Sequence, residues 1–310
     1  MSEQQHSKTI KALAQSLGFV SCGISKAAHL STEAKRMEQW LSKGYQGEMH
    51  YLEQHFDKRL DPRLLVPGAQ TVVSLMYNYA TAFKPSEGAF KVSKYALGED
   101  YHQVVKDKCY ELIAQLQAAI GQFNGRVFVD SAPVMERAWA ERSGLGWIGK
   151  HGLLINKQMG SYGFLAELII DLPCEPDGPT TDHCGTCTKC IDACPTQAIL
   201  PDKTLNASHC ISYLTIELKD QIPEAFKGQM QDWIFGCDIC QDVCPWNRFA
   251  KPNQEPRFEP NAFFNTAKKA EWIEITEEVF NQVFDKSPLK RSQYKGLKRN
   301  IQFQIEAPEK

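Results

Sequence analysis

Apolar positions in the first 170 residues switch repeatedly between a helical and an extended period. Residues 9–17 carry one apolar face at helical spacing and stop at Gly18, and residues 20–24 read as extended. Residues 71–75 are β-branched and apolar, which predicts a buried strand. From Tyr101, the positions Val104, Val105, Leu112, Ile113, Leu116 and Ile120 recur at helical spacing until Gly121. Residues 126–129 then read as a short strand and residues 133–141 as a helix. Residues 153–156 and 164–170 read as two strands joined by a turn at 160–163. Helices and strands alternate, so the expectation is an α/β or α+β domain of about 170 residues. Strand order cannot be read from such a pattern.

Residues 171–182 interrupt the pattern with Pro173, Pro176, Pro179 and Gly178 among acidic residues, a composition that reads as a linker. The division expected is 1–173, 174–255, and a helical, partly basic tail over 256–310. The overall class is α+β. The chain shows no repeat and no low-complexity segment. Its 310 residues suffice for two domains, and 43% hydrophobic against 23% charged residues allows a sizeable core. The longest apolar run, 164–170, is too short for a bilayer span and is broken by Glu167. The polar N-terminus reads as a helix rather than an export signal, so the expectation is a monomer in the reducing cytoplasm, with no membrane partner. A net charge of −2, from 35 basic and 37 acidic residues, gives no global attraction to nucleic acid.

Eleven cysteines change the picture. An odd count in a chain of this kind argues against a disulfide framework. Cys22, Cys109 and Cys174 are scattered and read as small core residues. The other eight lie between Cys184 and Cys244. Cys184-x2-Cys187-x2-Cys190-x3-Cys194-Pro195 matches the bacterial ferredoxin run, whose fourth cysteine ligates the other cluster of a pair. Cys237-x2-Cys240-x3-Cys244-Pro245 repeats the end of that run without its first cysteine, for which Cys210 is the nearby replacement. Crossing the ligands gives Cys184, Cys187, Cys190 and Cys244 for one [4Fe–4S] cluster and Cys194, Cys210, Cys237 and Cys240 for the other. The alternative is two four-thiolate zinc sites, but zinc modules separate Cys-x2-Cys pairs by long loops and do not end both runs in Cys-Pro.

Two clusters alone make an electron carrier, which needs no domain of about 170 residues in front of it. Gly144-x-Gly146-x-x-Gly149 formally matches a dinucleotide fingerprint, yet it follows a helical segment and leads into a strand, the reverse of the required context. Close approach to some other flat cofactor is the better use of those glycines. Asp130 ends the 126–129 strand, where α/β folds place their chemistry. Kept protonated by partial burial, it could give a proton to a leaving oxygen. The alternative is a helix N-cap ahead of Pro133.

These segments together resemble a known family. Val-Asp130-Ser-Ala-Pro-Val-Met-Glu-Arg137, Gly144-Leu-Gly-Trp-Ile-Gly-Lys150, the ferredoxin run, Cys210-Ile-Ser-Tyr-Leu-Thr-Ile-Glu217 and Gly236-Cys-Asp-Ile-Cys-Gln-Asp-Val-Cys-Pro-Trp-Asn247 are similar to epoxyqueuosine reductases. Gly47-Glu-Met-His-Tyr-Leu52 and Tyr95-Ala-Leu-Gly-Glu-Asp-Tyr-His102 fit as well. The resemblance implies a cobalamin-dependent enzyme that reduces epoxyqueuosine, at the wobble position of tRNA, to queuosine. It implies a cobalamin-binding domain like that of reductive dehalogenases, followed by a two-cluster ferredoxin-like domain. It makes Asp130 the proton donor and places Ser212, Cys237, Asp238 and Ser93 near the corrin, with Leu154 after the glycine-rich loop. No Asp-x-His-x-x-Gly occurs, so cobalamin is expected base-off, fed by a low-potential electron donor through the clusters.

The stretch 285–300 holds six basic residues (Lys286, Lys290, Arg291, Lys295, Lys298, Arg299) with Tyr294 among them and one acid, Asp285. It is a candidate phosphate-contact surface; the plainer reading is a solvated helix face. Many family members continue here into a helical-repeat domain, whereas this sequence stops at Lys310. Two other readings remain at this point. One is a corrinoid-dependent reductive dehalogenase, normally accompanied by an export signal. The other is a ferredoxin-type electron carrier fused to a binding module.

Overall fold

The structure is a computed structural model and describes residues 1–306. Eight strands are present among them: β1 (Ser21–Lys26), β2 (Thr71–Asn78), β3 (Lys91–Val92), β4 (Gly125–Phe128), β5 (Trp147–Ile148), β6 (Leu154–Ile155), β7 (Gly163–Ile170) and β8 (Trp233–Phe235). Four form the main sheet in the order β1-β2-β7-β4, every pair antiparallel. The helices of this part are α1 (Glu3–Ser16), α2 (Ser31–Ser42), α3 (Phe56–Leu60), α4 (Tyr101–Ile120) and α5 (Glu136–Arg142).

Both faces of β2 and β7 are covered, which is why these strands read as near-continuous apolar runs. Val73, Leu75, Ala166, Leu168 and Ile170 pack against Ile10 and Ala14 of α1 and Val104, Leu112 and Leu116 of α4. The alternate residues Val72 and Ile169 face Ala138 and Trp139 of α5. The sheet is therefore the middle of three layers, and its strand period of two sorts residues between them.

Most of the expected elements are present with shifted ends. Helix α1 begins at Glu3, because Ser2 and Gln5 form a capping box in a turn too polar to show apolar periodicity. Helix α5 begins at Glu136, three residues past Pro133. The two strands expected on either side of 160–163 do not pair with each other. β6 joins β5 in a two-stranded ladder, while β7 runs between β2 and β4, and Gly160 only bridges to Asn156. Sequence proximity favoured a hairpin; the burial of Trp147 decided otherwise. The proline-rich stretch is strapped down, with Asp177 accepting from Ile24 N (2.9 Å) and pairing with Lys11 (2.6 Å).

The remaining helices are α6 (Lys189–Asp192), α7 (Ile211–Ile216), α8 (Ile239–Asp242), α9 (Phe263–Thr266), α10 (Lys269–Glu274), α11 (Glu277–Val283) and α12 (Gln293–Ile305). The C-terminal helices are no loose appendage. Trp272, Phe280, Phe284, Leu289, Leu297 and Ile301 share one core with Phe90, Leu97 and Phe235. Asn300 of α12 donates to the carbonyls of Thr215 (2.7 Å) and Ile234 (2.8 Å). Strands β3 and β8 pair in parallel, which ties residues just ahead of α4 to the segment that carries Cys237. No described helix is long and apolar enough to cross a membrane.

Candidate redox centres and active site

The eight clustered cysteines fall into two groups of four. Burial and the neighbouring Cys184, Cys244 and Cys187 push the Cys190 thiol up to about 11. Burial with Cys210, Cys237 and Cys194 pushes the Cys240 thiol well above its ordinary value. The groups are thus Cys184, Cys187, Cys190 and Cys244, and Cys194, Cys210, Cys237 and Cys240. Two four-residue helices, α6 and α8, pack beside each other and present Cys190 and Cys240, and Cys194-Pro195 and Cys244-Pro245 carry the chain across to the other group.

N–H groups are aimed at the sulfurs. Ala198 N donates to Cys194 Sγ (3.3 Å), Trp147 Nε1 to Cys184 Sγ (3.4 Å), and backbone N–H groups at Ser212 and Tyr213 to Cys210. Such donors suit anionic thiolates. Among the described residues no three His, Cys, Asp or Glu side chains gather around a point that would hold a single metal ion.

The glycine-rich loop supports the first group. Lys150 Nζ donates to the carbonyls of Gly185 (2.9 Å) and Cys187 (2.8 Å), and Trp147 meets Trp246 edge-on. A side chain on Gly146 would strike the Ile155 carbonyl. That glycine serves contact between backbones, and not the close approach of a cofactor expected from sequence.

Asp130 sits just past β4 with φ +54°, a left-handed backbone that few non-glycine residues adopt. It does not cap α5, whose N-cap is Met135. Instead the start of α4 delivers partners to its carboxylate. Tyr101 Oη donates to Oδ2 (2.7 Å), and His102 Nε2 lies 3.2 Å from the same oxygen. Asp100 caps α4 through His102 N and also holds His102 Nδ1 (2.7 Å). Tyr101 is fixed by stacking on Phe164, with ring centroids 4.1 Å apart. Asp100 N is anchored to the Lys286 carbonyl (2.6 Å), so the C-terminal segment holds this end of α4.

These contacts redistribute the proton. Burial works against a charged His102, but Asp100 and Asp130 outweigh it and raise its pKa to about 9. Desolvation works to raise Asp130, and the bonds from His102 and Tyr101 overcome it and hold the carboxyl below its usual value. The expectation that burial keeps Asp130 protonated is therefore corrected: at neutral pH the proton of the pair resides on His102. Two further carboxyls lie behind. Burial, then the charge of Asp130, pushes Glu136 up to about 8. Glu167, fully buried in β7, is raised well above the carboxylate range by burial and by Glu136 and Asp130.

A wall of residues continues from Asp130 to the second thiol group. The half-buried Tyr95 phenol is pushed well up by desolvation and by the charges of Asp130 and Asp238. Asp238 accepts from Lys94 N (2.8 Å) and neighbours Cys237. Of the residues expected beside a corrin, Ser212 and Cys237 keep exposed surface. Ser93 (1% exposed) and Asp238 (2%) bond to each other inside the core, and Leu154 packs with Met76, Ala140 and Met159. At the rim stand Tyr51, 43% exposed, with Arg59 donating to its carbonyl (2.8 Å) and the Arg291 guanidinium 6.0 Å from its ring.

The basic stretch is mostly committed internally. Arg291 makes a two-pronged contact with Glu217 (3.1 and 3.2 Å), and Arg299 caps the carbonyls of Leu214, Leu218 and Asp220. Lys298 donates to Ile273 O and Lys290 pairs with Asp285. Only Lys286 and Lys295 are exposed without an ion-pair partner among the described residues. Cys109 and Cys174 are core residues, and Cys22 packs partly buried against the same core.

Sequence reasoning missed Tyr101, His102, Glu136 and Glu167 as site residues. Tyr101 and His102 close a motif that carried the resemblance, and Glu167 was visible as a charge inside the longest apolar run. An acid at an inward-facing strand position is itself a signal.

Comparison with known proteins agrees with this geometry. Residues 183–247 match the family model described as a 4Fe-4S double cluster binding domain, and residues 59–131 match the one described as epoxyqueuosine reductase QueG, DUF1730. An epoxyqueuosine reductase of Cellulophaga algicola is 56% identical over 301 residues, covering 97% of this chain and 98% of that one. A crystal structure of epoxyqueuosine reductase with an epoxyqueuosine-modified tRNA-Tyr stem loop matches with a TM-score of 0.90 at 30% identity, covering 97% of this chain and 81% of that one. A Bacillus subtilis epoxyqueuosine reductase, solved with its catalytic aspartate loop swung out of the active site, matches equally well (TM-score 0.90, 30% identity, 97% and 81% covered). With relatives this similar along nearly its whole length, the chain belongs to the epoxyqueuosine reductase family.

Proposed function

We propose that this protein reduces the epoxide of epoxyqueuosine in tRNA to the alkene of queuosine. The reaction takes two electrons and two protons, removes the epoxide oxygen as water and leaves a carbon–carbon double bond. The observation that carries the reading is a carboxylate, Asp130, held open at a sheet end with a proton on its partner His102, on a wall that leads through Tyr95 and Asp238 to the second thiol group.

Cys184, Cys187, Cys190 and Cys244 are proposed to hold one [4Fe–4S] cluster, and Cys194, Cys210, Cys237 and Cys240 the other. Eight buried or half-buried thiols gathered in two groups, with N–H groups aimed at sulfur, suit a cationic iron cluster that takes them as thiolates. Base-off cobalamin would supply a strongly reducing cobalt centre between the clusters and the epoxide. The residues present fit it. Asp130 remains 57% exposed among its partners, and Ser212 and Cys237 keep open surface on the same wall. Both ring nitrogens of His102 are taken by carboxylates, so that imidazole is not free to act as a lower ligand. Ser93, Asp238 and Leu154 then act from behind, by fixing Lys94, Cys237 and the glycine-rich loop.

His102 gives up its proton to Asp130, which relays it to the departing oxygen, and Asp100 stabilises the charge of His102 from the far side until then. Tyr101 fixes the carboxylate oxygen that does this. For the nucleotide, Tyr51 offers a stacking face with Arg59 and Arg291 beside it, while Lys286 and Lys295 offer charge for phosphates. Electrons enter from a low-potential donor, and the protein acts as a monomer in the cytoplasm. The test is anaerobic reconstitution with iron, sulfide and cobalamin, followed by assay on epoxyqueuosine-containing tRNA. Conversion to queuosine supports the reading; a protein that loads clusters and cobalamin yet leaves the epoxide intact would refute it.

A further inference from the structure

Behind Asp130 lies a second acidic group that the reaction above does not use. Glu167 is the central residue of β7, opposite Ser74 of β2 and Phe128 of β4. It is 0% exposed, and neither carboxyl oxygen has a conventional hydrogen-bond donor among the described residues; the Ser74 hydroxyl is likewise unpartnered. Its ionisable neighbours on this face are Glu136, from the first turn of α5, and Asp130. Two carboxyls facing each other out of water bind only if a proton lies between them, because two bare acceptors repel. Glu136 in turn accepts the backbone N–H of Asp130 through Oε1 (2.5 Å). A line of contact therefore runs from the middle of the sheet to the residue whose backbone is left-handed.

We infer that Glu136 and Glu167 form a proton-sharing carboxyl pair that latches the Asp130 loop into the active site. With the proton in place, Glu136 offers its carbonyl oxygen to Asp130 N–H and its hydroxyl to Glu167. Without it, the charge of Glu136 stands between those of the buried Glu167 and of Asp130, the acceptor contact no longer offsets their repulsion, and the loop is released. The groups facing the pair are few. Asp130 and His102 lie beyond Glu136, Arg137 lies beside it with its guanidinium on the Gly152 carbonyl (2.5 Å), and Cys109 of α4 feels the charge of Glu167 from the other face of the sheet. Burial holds both acids protonated at neutral pH, so the latch is closed there. Glu136 and Glu167 are positioning residues, since they act through Asp130. That the loop they hold is catalytic rests on the function proposed above; the latch itself does not. In the Bacillus subtilis relative the catalytic aspartate loop has been seen swung out.

Hydrogen–deuterium exchange of the peptide over residues 129–134, corrected for intrinsic rates, tests this on anaerobically reconstituted protein without substrate. The wild type should protect this peptide at pH 6.5 and lose at least about tenfold of that protection by pH 9.5. Glu136→Gln keeps an acceptor for Asp130 N–H and a donor for Glu167 but cannot ionise, so it should be protected at both pH values. Glu136→Ala should be unprotected at both. His102 also titrates in this range, and Glu136→Gln separates the two: a pH step that survives in this variant belongs to His102 and overturns the latch. Wild-type protection unchanged between the two pH values would overturn it equally. In turnover, Glu136→Gln should move the alkaline limb of kcat while KM stays put. If the exchange pattern holds but no epoxide is reduced, the function fails and the latch stands.

Discussion

The thiol region and the sheet face beneath α5 both bury acids, and they keep negative charge out of the interior by different means. Each thiol group has N–H donors pointed at sulfur and repulsion among its members, an arrangement completed by a cation. The carboxyl group of Asp130, Glu136 and Glu167 has its hydrogen-bonded cation, His102, at its outer member, and its inner members keep their protons. One region therefore depends on metal and the other on pH. Removing iron should disturb the first and leave the second; raising pH should do the reverse.

The largest effect expected is at the thiols. Cys240→Ala should lower iron content from about eight to about four atoms per chain and abolish reduction, which iron analysis and the epoxyqueuosine assay would check. Intact iron content in this variant would contradict the ligand grouping. Next is Asp130→Asn, which should retain the cluster and cobalamin absorption bands while slowing reduction between roughly a hundredfold and ten-thousandfold. A fully active Asp130→Asn would remove Asp130 from the mechanism.

His102→Gln should cost about tenfold or more in kcat and remove the part of the alkaline limb near pH 9, leaving the part that Glu136 contributes near pH 8. The folded pKa lies above the free imidazole's, so the ion pair with Asp130 contributes fully below about pH 6.5. That contribution is lost as pH rises through about 9. A pH–rate profile of this variant that matches the wild type would assign the limb elsewhere. The smallest effect is on stability. Glu136 and Glu167 have pKa values raised on folding, so their burial adds no penalty below about pH 4.5. The penalty grows as pH rises toward about 8. Glu167→Gln should then raise Tm at pH 8, by about 2–4 °C for each kcal/mol of penalty relieved, and leave it nearly unchanged at pH 4.5. Thermal unfolding at the two pH values checks this, and an equal change at both would contradict it.

The same contrast governs how much of the molecule could be read from its sequence. The cysteine groups were legible because a cluster ligand set is written in local spacing, with prolines as punctuation. The strands β2 and β7 and the helix α4 were legible because their periodicity is long and their burial uniform. The pairing of β5 with β6 was not, since two-residue ladders have no period and depend on where Trp147 finds its cavity. Asp130 was found at a strand end, but its charge state was misjudged. That state depends on Tyr101 and His102, almost thirty residues away, and on Glu136 and Glu167, brought beneath it by helix packing and sheet register. The basic stretch at 286–299 had the opposite fate. Its charges are plain in sequence, yet Arg291 and Arg299 are committed to Glu217 and to buried carbonyls, so count alone overstated the surface available to tRNA.

In the proposed reaction, electrons delivered through both thiol groups meet a proton at Asp130 to open an epoxide. The most direct test is anaerobic incubation of the reconstituted protein with epoxyqueuosine-containing tRNA and a low-potential reductant, with and without cobalamin, read by mass spectrometry of the released nucleoside. Loss of one oxygen atom is expected only when both clusters and cobalamin are loaded. Equal conversion without cobalamin, or none with all three present, would contradict the proposal.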